Sequence, residues 1–162
     1  MKSTGEVMGI DKDFGLAYAK SQMASQNSLP TKGLAFISLK DRHKNEGVDL
    51  AKQLVKLGFT LCGTEGTANR IIKNGIKCKK INKVSGGSPH IIDVLNSKKI
   101  ALVINTGGGK RAYRIQDSTS LRRSTLINKV PYCTNMSTAY AFLEAIKSLK
   151  TKKIEVKSLQ EI

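Results

Sequence analysis

Ile100-Ala101-Leu102-Val103-Ile104 is an unbroken aliphatic run, and it constrains the fold more than any other feature of the chain. Successive strand residues point to opposite faces, so a strand apolar at every position must be covered on both. A parallel sheet with helices packed on each side does this. Weaker runs of the same kind recur at residues 34–39, 59–62, 78–81 and 131–133. Stretches of helical period lie between them. Val48, Ala51, Leu54 and Val55 share one face before Gly58, and Ala68, Ile71 and Ile72 precede Asn74-Gly75. Ala139, Phe142, Leu143 and Ile146 form an i, i+3, i+4, i+7 stripe. Pro89, after Ser88, suits the first turn of another helix, and Asp117-Ser118 the cap of the next. This alternation predicts an α/β domain of three layers, α/β/α, around a five-stranded, mainly parallel sheet.

The alternation does not extend to the first residues. Phe14, Ala17, Tyr18 and Met23 fit one helix, residues 25–32 are polar with a single Pro and read as a linker, and residues 3–9 find no partner in the scheme. With 40% hydrophobic residues in 162, the chain can bury a core as one domain with a short foreign segment attached. No apolar run approaches the roughly 20 residues of a membrane helix, and the start, Met1-Lys2-Ser3-Thr4-Gly5-Glu6, lacks an apolar signal region. A soluble cytoplasmic protein that touches no membrane is expected.

Cys62, Cys78 and Cys133 are widely spaced and odd in number, which argues against both a disulfide framework and a zinc site. His43 and His90 are too scattered for a metal centre. The formal charge of +16 (28 Lys and Arg, 12 Asp and Glu) raises nucleic-acid binding as a function class. The lysines are spread along the chain, however, and aromatic residues are 5% with no Trp, so stacking platforms are few. A generally basic surface accounts for the charge equally well, and no specific nucleic acid is expected.

In open α/β sheets, ligands sit beyond the carboxyl ends of the strands. Lys44 follows the first expected strand, Thr64 and Thr67 the second, Lys83 the third, Asn105 and Thr106 the fourth, and Thr134 and Asn135 the fifth. Lysines, hydroxyls and amides in these positions seek anions. Thr64-Glu65-Gly66-Thr67 opens a helix, where amides without internal acceptors and the helix dipole favour a phosphate or carboxylate. A Thr N-cap without ligand is the alternative reading of the same residues. The loop Gly107-Gly108-Gly109, followed by Lys110-Arg111, admits close backbone approach to an anion, but it has neither the Walker A spacing nor a dinucleotide fingerprint; a turn on a basic surface is its other reading.

Taken together, Ser3-Thr4-Gly5-Glu6-Val7-Met8-Gly9, Gly63-Thr64-Glu65-Gly66-Thr67-Ala68, Asn82-Lys83-Val84, Pro89-His90-Ile91-Ile92-Asp93, Ile104-Asn105-Thr106, Asp117-Ser118 and Leu121-Arg122-Arg123 form a longer pattern. In order and at compatible spacing, over nearly the whole chain, it resembles the C-terminal end of the large subunit of carbamoyl phosphate synthetase. The resemblance implies that residues 1–25 are the tail of an ATP-grasp synthetase domain and residues 26–162 an allosteric domain of methylglyoxal-synthase-like fold, strand order 3-2-1-4-5. The parent would be a ligase using ATP and magnesium to make carbamoyl phosphate from glutamine for pyrimidine and arginine pathways, with no cofactor in this stretch. Implied partners are the rest of the large subunit, the glutaminase small subunit, further copies through self-association, and a nucleotide monophosphate effector, UMP or IMP. Carried over by position, Lys44, Thr64, Thr67 and Lys83 would hold its phosphate and ribose, and Asn105 and Thr106 would complete the pocket. Lys110, Arg111, Arg122 and Arg123 would add flanking charge. Tyr132 and Thr134 match positions that touch ornithine at the junction with the synthetase domain.

Three departures from the family pattern stand out. Glu65 stands where relatives carry His, Gly107 replaces a hydroxyl residue, and the loop near Tyr113 to Gln116 is longer by two residues. The branch regulated by N-acetylglutamate carries Trp at the Lys83 position, so Lys83 favours a nucleotide.

The rival on this fold is an enzyme, methylglyoxal synthase, whose chemistry needs a carboxylate base beside a phosphate clamp. Its Gly-Gly-Asp loop is broken here, because Ser88 follows Gly86-Gly87, and its later His-Asp-Pro-Asp sequence is absent. His90 and Asp93 remain one turn apart, to be read either as a helix-capping and subunit-packing pair or as a catalytic remnant. No turnover by this stretch itself is expected.

Overall fold

The computed structural model describes residues 7–82, 87–88, 90–107, 112–156, 158 and 160, with only the backbone of 112–117. Helix α1 (Phe14–Ala24) precedes the alternating part: β1 (Gly33–Ser38), a 3-10 turn (Asp41–His43), α2 (Lys44–Lys56), β2 (Phe59–Gly63), α3 (Glu65–Lys73), β3 (Lys79–Lys80), α4 (Ile91–Asn96), β4 (Ile100–Asn105), α5 (Ala112–Ile127), β5 (Tyr132–Cys133) and α6 (Met136–Thr151). The five strands pair in the order β3-β2-β1-β4-β5, and every pairing is parallel. This is the order that the resemblance implies.

Period-two alternation divides the strand side chains between two cores. Ala35 and Ile37 of β1, Leu61 of β2, and Leu102 and Ile104 of β4 face one core, with Leu50 and Leu54 of α2, Ile71 of α3 and Phe142 and Ile146 of α6. Phe36, Cys62 and Val103 face the other, against Ile91 and Leu95 of α4 and Leu121 of α5. Full burial of one such aliphatic or aromatic side chain stabilises the fold by about 1.5–3 kcal/mol. The run that predicted a doubly covered strand is therefore covered twice, with one exception. Ala101 is only half-buried, because the β1–β4 register skips it: Leu34 pairs with Ile100 and Ala35 with Leu102. Opposite it stands Gly33, at φ +124, where a Cβ would come within 2.6 Å of the Ala101 methyl.

Two sequence expectations need correction. The third strand is the two residues Lys79–Lys80 rather than 78–81, since it is an edge strand paired only with the end of β2. Asp117-Ser118 does not cap a helix, because α5 begins at Ala112 and runs through both residues. The expected opening of α4 falls partly on Pro89, outside the described residues; His90 is the N-cap.

Helix α1 packs against α6. Gly15 allows the approach: a Cβ there would lie 2.3 Å from Ser148 Oγ and 2.5 Å from the Glu144 carbonyl oxygen. Asp13 caps α1 by accepting from the Leu16 N–H at 2.9 Å, and it accepts from Lys152 Nζ at 2.6 Å. Those bonds hold the Asp13 carboxyl well below the usual carboxylate range, the Lys152 bond most of all. Within the stretch expected to be a linker, Leu29 is buried in the first core.

Candidate anion site at the carboxyl ends of the strands

The parallel order brings the ends of β1, β2 and β4 together, because β1 lies between the other two. Gly63 closes β2 against β1 so tightly that a Cβ would meet the Ile37 carbonyl oxygen at 2.5 Å. The hydroxyls beyond that point interlock. Thr67 Oγ1, buried, accepts from the Leu39 N–H at 3.0 Å. Thr64 Oγ1 lies 3.4 Å from both Ser38 Oγ and Thr67 Oγ1. Thr64 occupies the N-cap of α3 in extended conformation, yet its side chain makes no capping bond. The cap reading of the Thr64 turn is thus met in backbone position but not in side-chain chemistry.

Lys44 opens α2, and its ammonium reaches across to α3. A Cβ on Gly66 would lie 2.9 Å from Lys44 Nζ. That nitrogen also pairs with Asp41 Oδ1 at 2.6 Å. A cation over the first turn of a helix opposes the positive end of the helix dipole. Glu65, exposed in the same turn, complements that dipole.

From β4, the Thr106 N–H donates to the Ser38 carbonyl at 3.0 Å. Thr106 Oγ1 accepts from the Lys40 N–H at 3.2 Å and lies 3.1 Å from His43 Nδ1. Asn105 Oδ1 accepts from the Gly107 N–H at 3.0 Å, and its amide nitrogen donates to the Tyr132 hydroxyl at 3.1 Å. Gly107, the departure from a hydroxyl residue, has its own reason: a Cβ would lie 2.7 Å from Asn105 Oδ1.

Lys44, Thr64, Thr67, Asn105 and Thr106 are therefore gathered at the carboxyl end of the sheet, with Tyr132 joined to Asn105. Thr134 is exposed just beyond β5, where Asn135 caps α6 through the Thr138 N–H at 2.8 Å. Arg122 and Arg123 are exposed along α5, and no contact among the described residues joins them to the site. Lys83, Lys110 and Arg111 lie outside the described residues. Sequence reasoning missed Ser38 and His43. Ser38 ends β1, so the strand-end rule that found Thr64 reaches it too; His43 was weighed only as a metal ligand.

Among the described residues, neither thiols nor carboxylates form a reactive set here. Burial pushes the Cys62 and Cys133 thiols up to about 12. Asp93 accepts from the His90 N–H at 2.8 Å and from the Ser88 hydroxyl at 2.7 Å, and these bonds lower its pKa. A carboxylate so engaged closes the start of α4, in keeping with the cap reading of His90 and Asp93.

Residues 46–134, from within α2 to just past β5, match the family model described as MGS-like domain. The chain belongs to the MGS-like domain family. Over 99% of its length this MGS-like chain is 47% identical to a carbamoyl phosphate synthase large chain from Mesorhizobium japonicum, of which it spans 14%. It is 48% identical over its whole length to a carbamoyl phosphate synthase large chain, C-terminal section, from Aquifex aeolicus, of which it spans 31%. The chain thus spans less than a third of these relatives. A crystal structure of methylglyoxal synthase from Elizabethkingia anophelis superposes with a TM-score of 0.54 at 19% identity, covering 71% of this chain and 79% of that one. At that identity the likeness concerns the fold. Among the described residues no helix is long and apolar enough to cross a membrane, and no group of His, Cys, Asp and Glu could hold a metal ion.

Proposed function

We propose that this MGS-like domain binds a nucleoside monophosphate at the carboxyl ends of β1, β2 and β4, and regulates a carbamoyl phosphate synthase large chain of which it forms the C-terminal part. The observation that carries the reading is the Lys44 ammonium over the first turn of α3, beside a Thr64 hydroxyl that makes no capping bond. The Lys44 ammonium, already paired with Asp41 on one side, and the positive end of the α3 dipole both attract an anion placed between them. Lys44, Thr64 and the first amides of α3 hold the phosphate, with Lys83 as a further cation, while Asn105 and Thr106 face the ribose and base. Lys110, Arg111, Arg122 and Arg123 add long-range attraction. UMP and IMP are the effectors to try. Tyr132 and Thr134 contribute to an ornithine site at the boundary with the synthetase part, whose tail reaches to about residue 25 of this chain. The ATP-driven chemistry, the small-subunit partner and any self-association belong to the assembled enzyme.

Regulation requires that the effector bind two states of the enzyme differently, so this chain alone binds without regulating. Calorimetric titration of UMP and IMP into the 162-residue chain, wild type and Lys44→Ala, tests the reading. A charge-assisted bond contributes about 1.5–3 kcal/mol, so Lys44→Ala weakens binding by at least about tenfold. Failure of both nucleotides to bind wild type at millimolar concentration sinks the assignment.

A further inference from the structure

Two nitrogens face the hydroxyl of Thr106. The Lys40 N–H points at its oxygen from 3.2 Å and His43 Nδ1 stands 3.1 Å away. What His43 contributes depends on its tautomer, and a third residue decides that. Arg42 Nε lies 3.1 Å from His43 Nε2. An arginine Nε–H can only donate, so Nε2 is the lone-pair end of the ring and the imidazole proton rests on Nδ1. Nδ1–H therefore donates to Thr106 Oγ1.

A hydroxyl oxygen accepts two hydrogen bonds and donates one. Both acceptor directions of Thr106 are taken, by the Lys40 amide and by His43, and neither bond uses the Thr106 proton. We propose that His43, held as the Nδ1–H tautomer by Arg42, is a positioning residue for the effector. It fills the last acceptor direction of Thr106 and leaves that hydroxyl able only to donate, to an acceptor atom on the ribose or base of the bound nucleotide. This rests on the proposed reading of the site and adds its selectivity: the Thr106 corner takes ligand acceptors and turns away ligand donors. The Thr106 backbone cannot serve instead, since its N–H is already bonded to the Ser38 carbonyl at 3.0 Å.

The test combines nitrogen NMR with a double-mutant cycle. In the wild-type chain, the His43 ring should show a protonated Nδ1 and an unprotonated Nε2; the opposite tautomer overturns the proposal. For whichever of UMP and IMP binds, His43→Leu should weaken affinity by about three- to tenfold, the loss of one neutral hydrogen bond. His43→Asn, whose amide N–H stands near the position of Nδ1, should stay within about twofold of wild type. In a Thr106→Val background, His43→Leu should add nothing, because the oxygen it acts through is gone. An undiminished effect there, or failure of Asn to rescue, overturns the positioning role. If the wild type binds neither nucleotide, the site reading itself fails and takes this role with it, whereas loss confined to His43→Leu in a binding-competent protein cannot come from a wrongly placed site.

Discussion

The two ends of the sheet differ in a way that separates space from chemistry. At the amino ends of β2 and β3, a groove of about 1030 Å³ opens between α2 and α3, lined by Val55, Phe59, Leu61, Ile72 and Ile76 and edged by Lys52, Lys56, Lys77 and Lys79. At the carboxyl ends, Thr64, Thr67, Asn105 and Thr106 are buried, and Lys44 reaches over the first turn of α3. The groove has room but few polar groups with a fixed direction. The opposite end has several hydroxyls and amides whose bonds are already directed, and a cation placed against a helix dipole. Geometry of polar groups, rather than volume, is what distinguishes the carboxyl end as the proposed anion site.

The comparison breaks most severely at Thr67. Thr67→Val leaves the buried Leu39 N–H without an acceptor, at a cost of about 1–3 kcal/mol. Chemical denaturation should report that loss, and nucleotide titration a loss of affinity alongside it; unchanged stability would show that the hydroxyl lattice does not hold the β1–α2 connection. Thiol chemistry gives the next largest contrast. Cys62 and Cys133 are pushed up to about 12 by burial, whereas the half-buried Cys78, in the groove, reaches only about 11. At pH 8 one unit corresponds to about tenfold more thiolate, so timed alkylation with peptide mapping should label Cys78 first. Early labelling of Cys62 would mean that the β2 end opens.

A smaller effect concerns α1. The lowered Asp13 pKa means that its contribution to stability is present above the ordinary carboxylate range and fades as pH falls through the folded-state value. The protection factors of α1 amides, that is, exchange corrected for its intrinsic pH dependence, should therefore fall on acidification, and Asp13→Asn should flatten that fall; protection that ignores pH removes Asp13 as the clamp. The smallest effect is the sharpest control. Lys52→Ser with Lys56→Ser, at the groove, should leave nucleotide affinity within about twofold and stability within about 0.5 kcal/mol. A large loss of affinity would move the binding site to the amino end.

Some of this was legible in the residues and some was not. The run from Ile100 to Ile104 announced a doubly covered strand because period two leaves an all-apolar strand no other stable place. Lys44, Thr64 and Asn105 followed from the rule that parallel sheets expose their useful residues at the carboxyl ends. The cap expected at Asp117-Ser118 failed because capping residues mark a helix start only where the preceding backbone is not already helical, and α5 begins earlier. The third strand came out short because pairing depends on a neighbour, and β3 meets only Cys62 and Gly63.

The sequence by itself determined the layers, the parallel sheet and the chemical character of the site, since hydrophobic period and residue type act locally and need no partner. Tertiary structure alone decided what each hydroxyl does. Thr67 serves the Leu39 amide and Thr106 serves Lys40 and His43, because β1 lies between β2 and β4 and brings residues far apart in the chain within hydrogen-bond distance. Donor and acceptor roles are fixed by such neighbours, which no spacing along the chain can state.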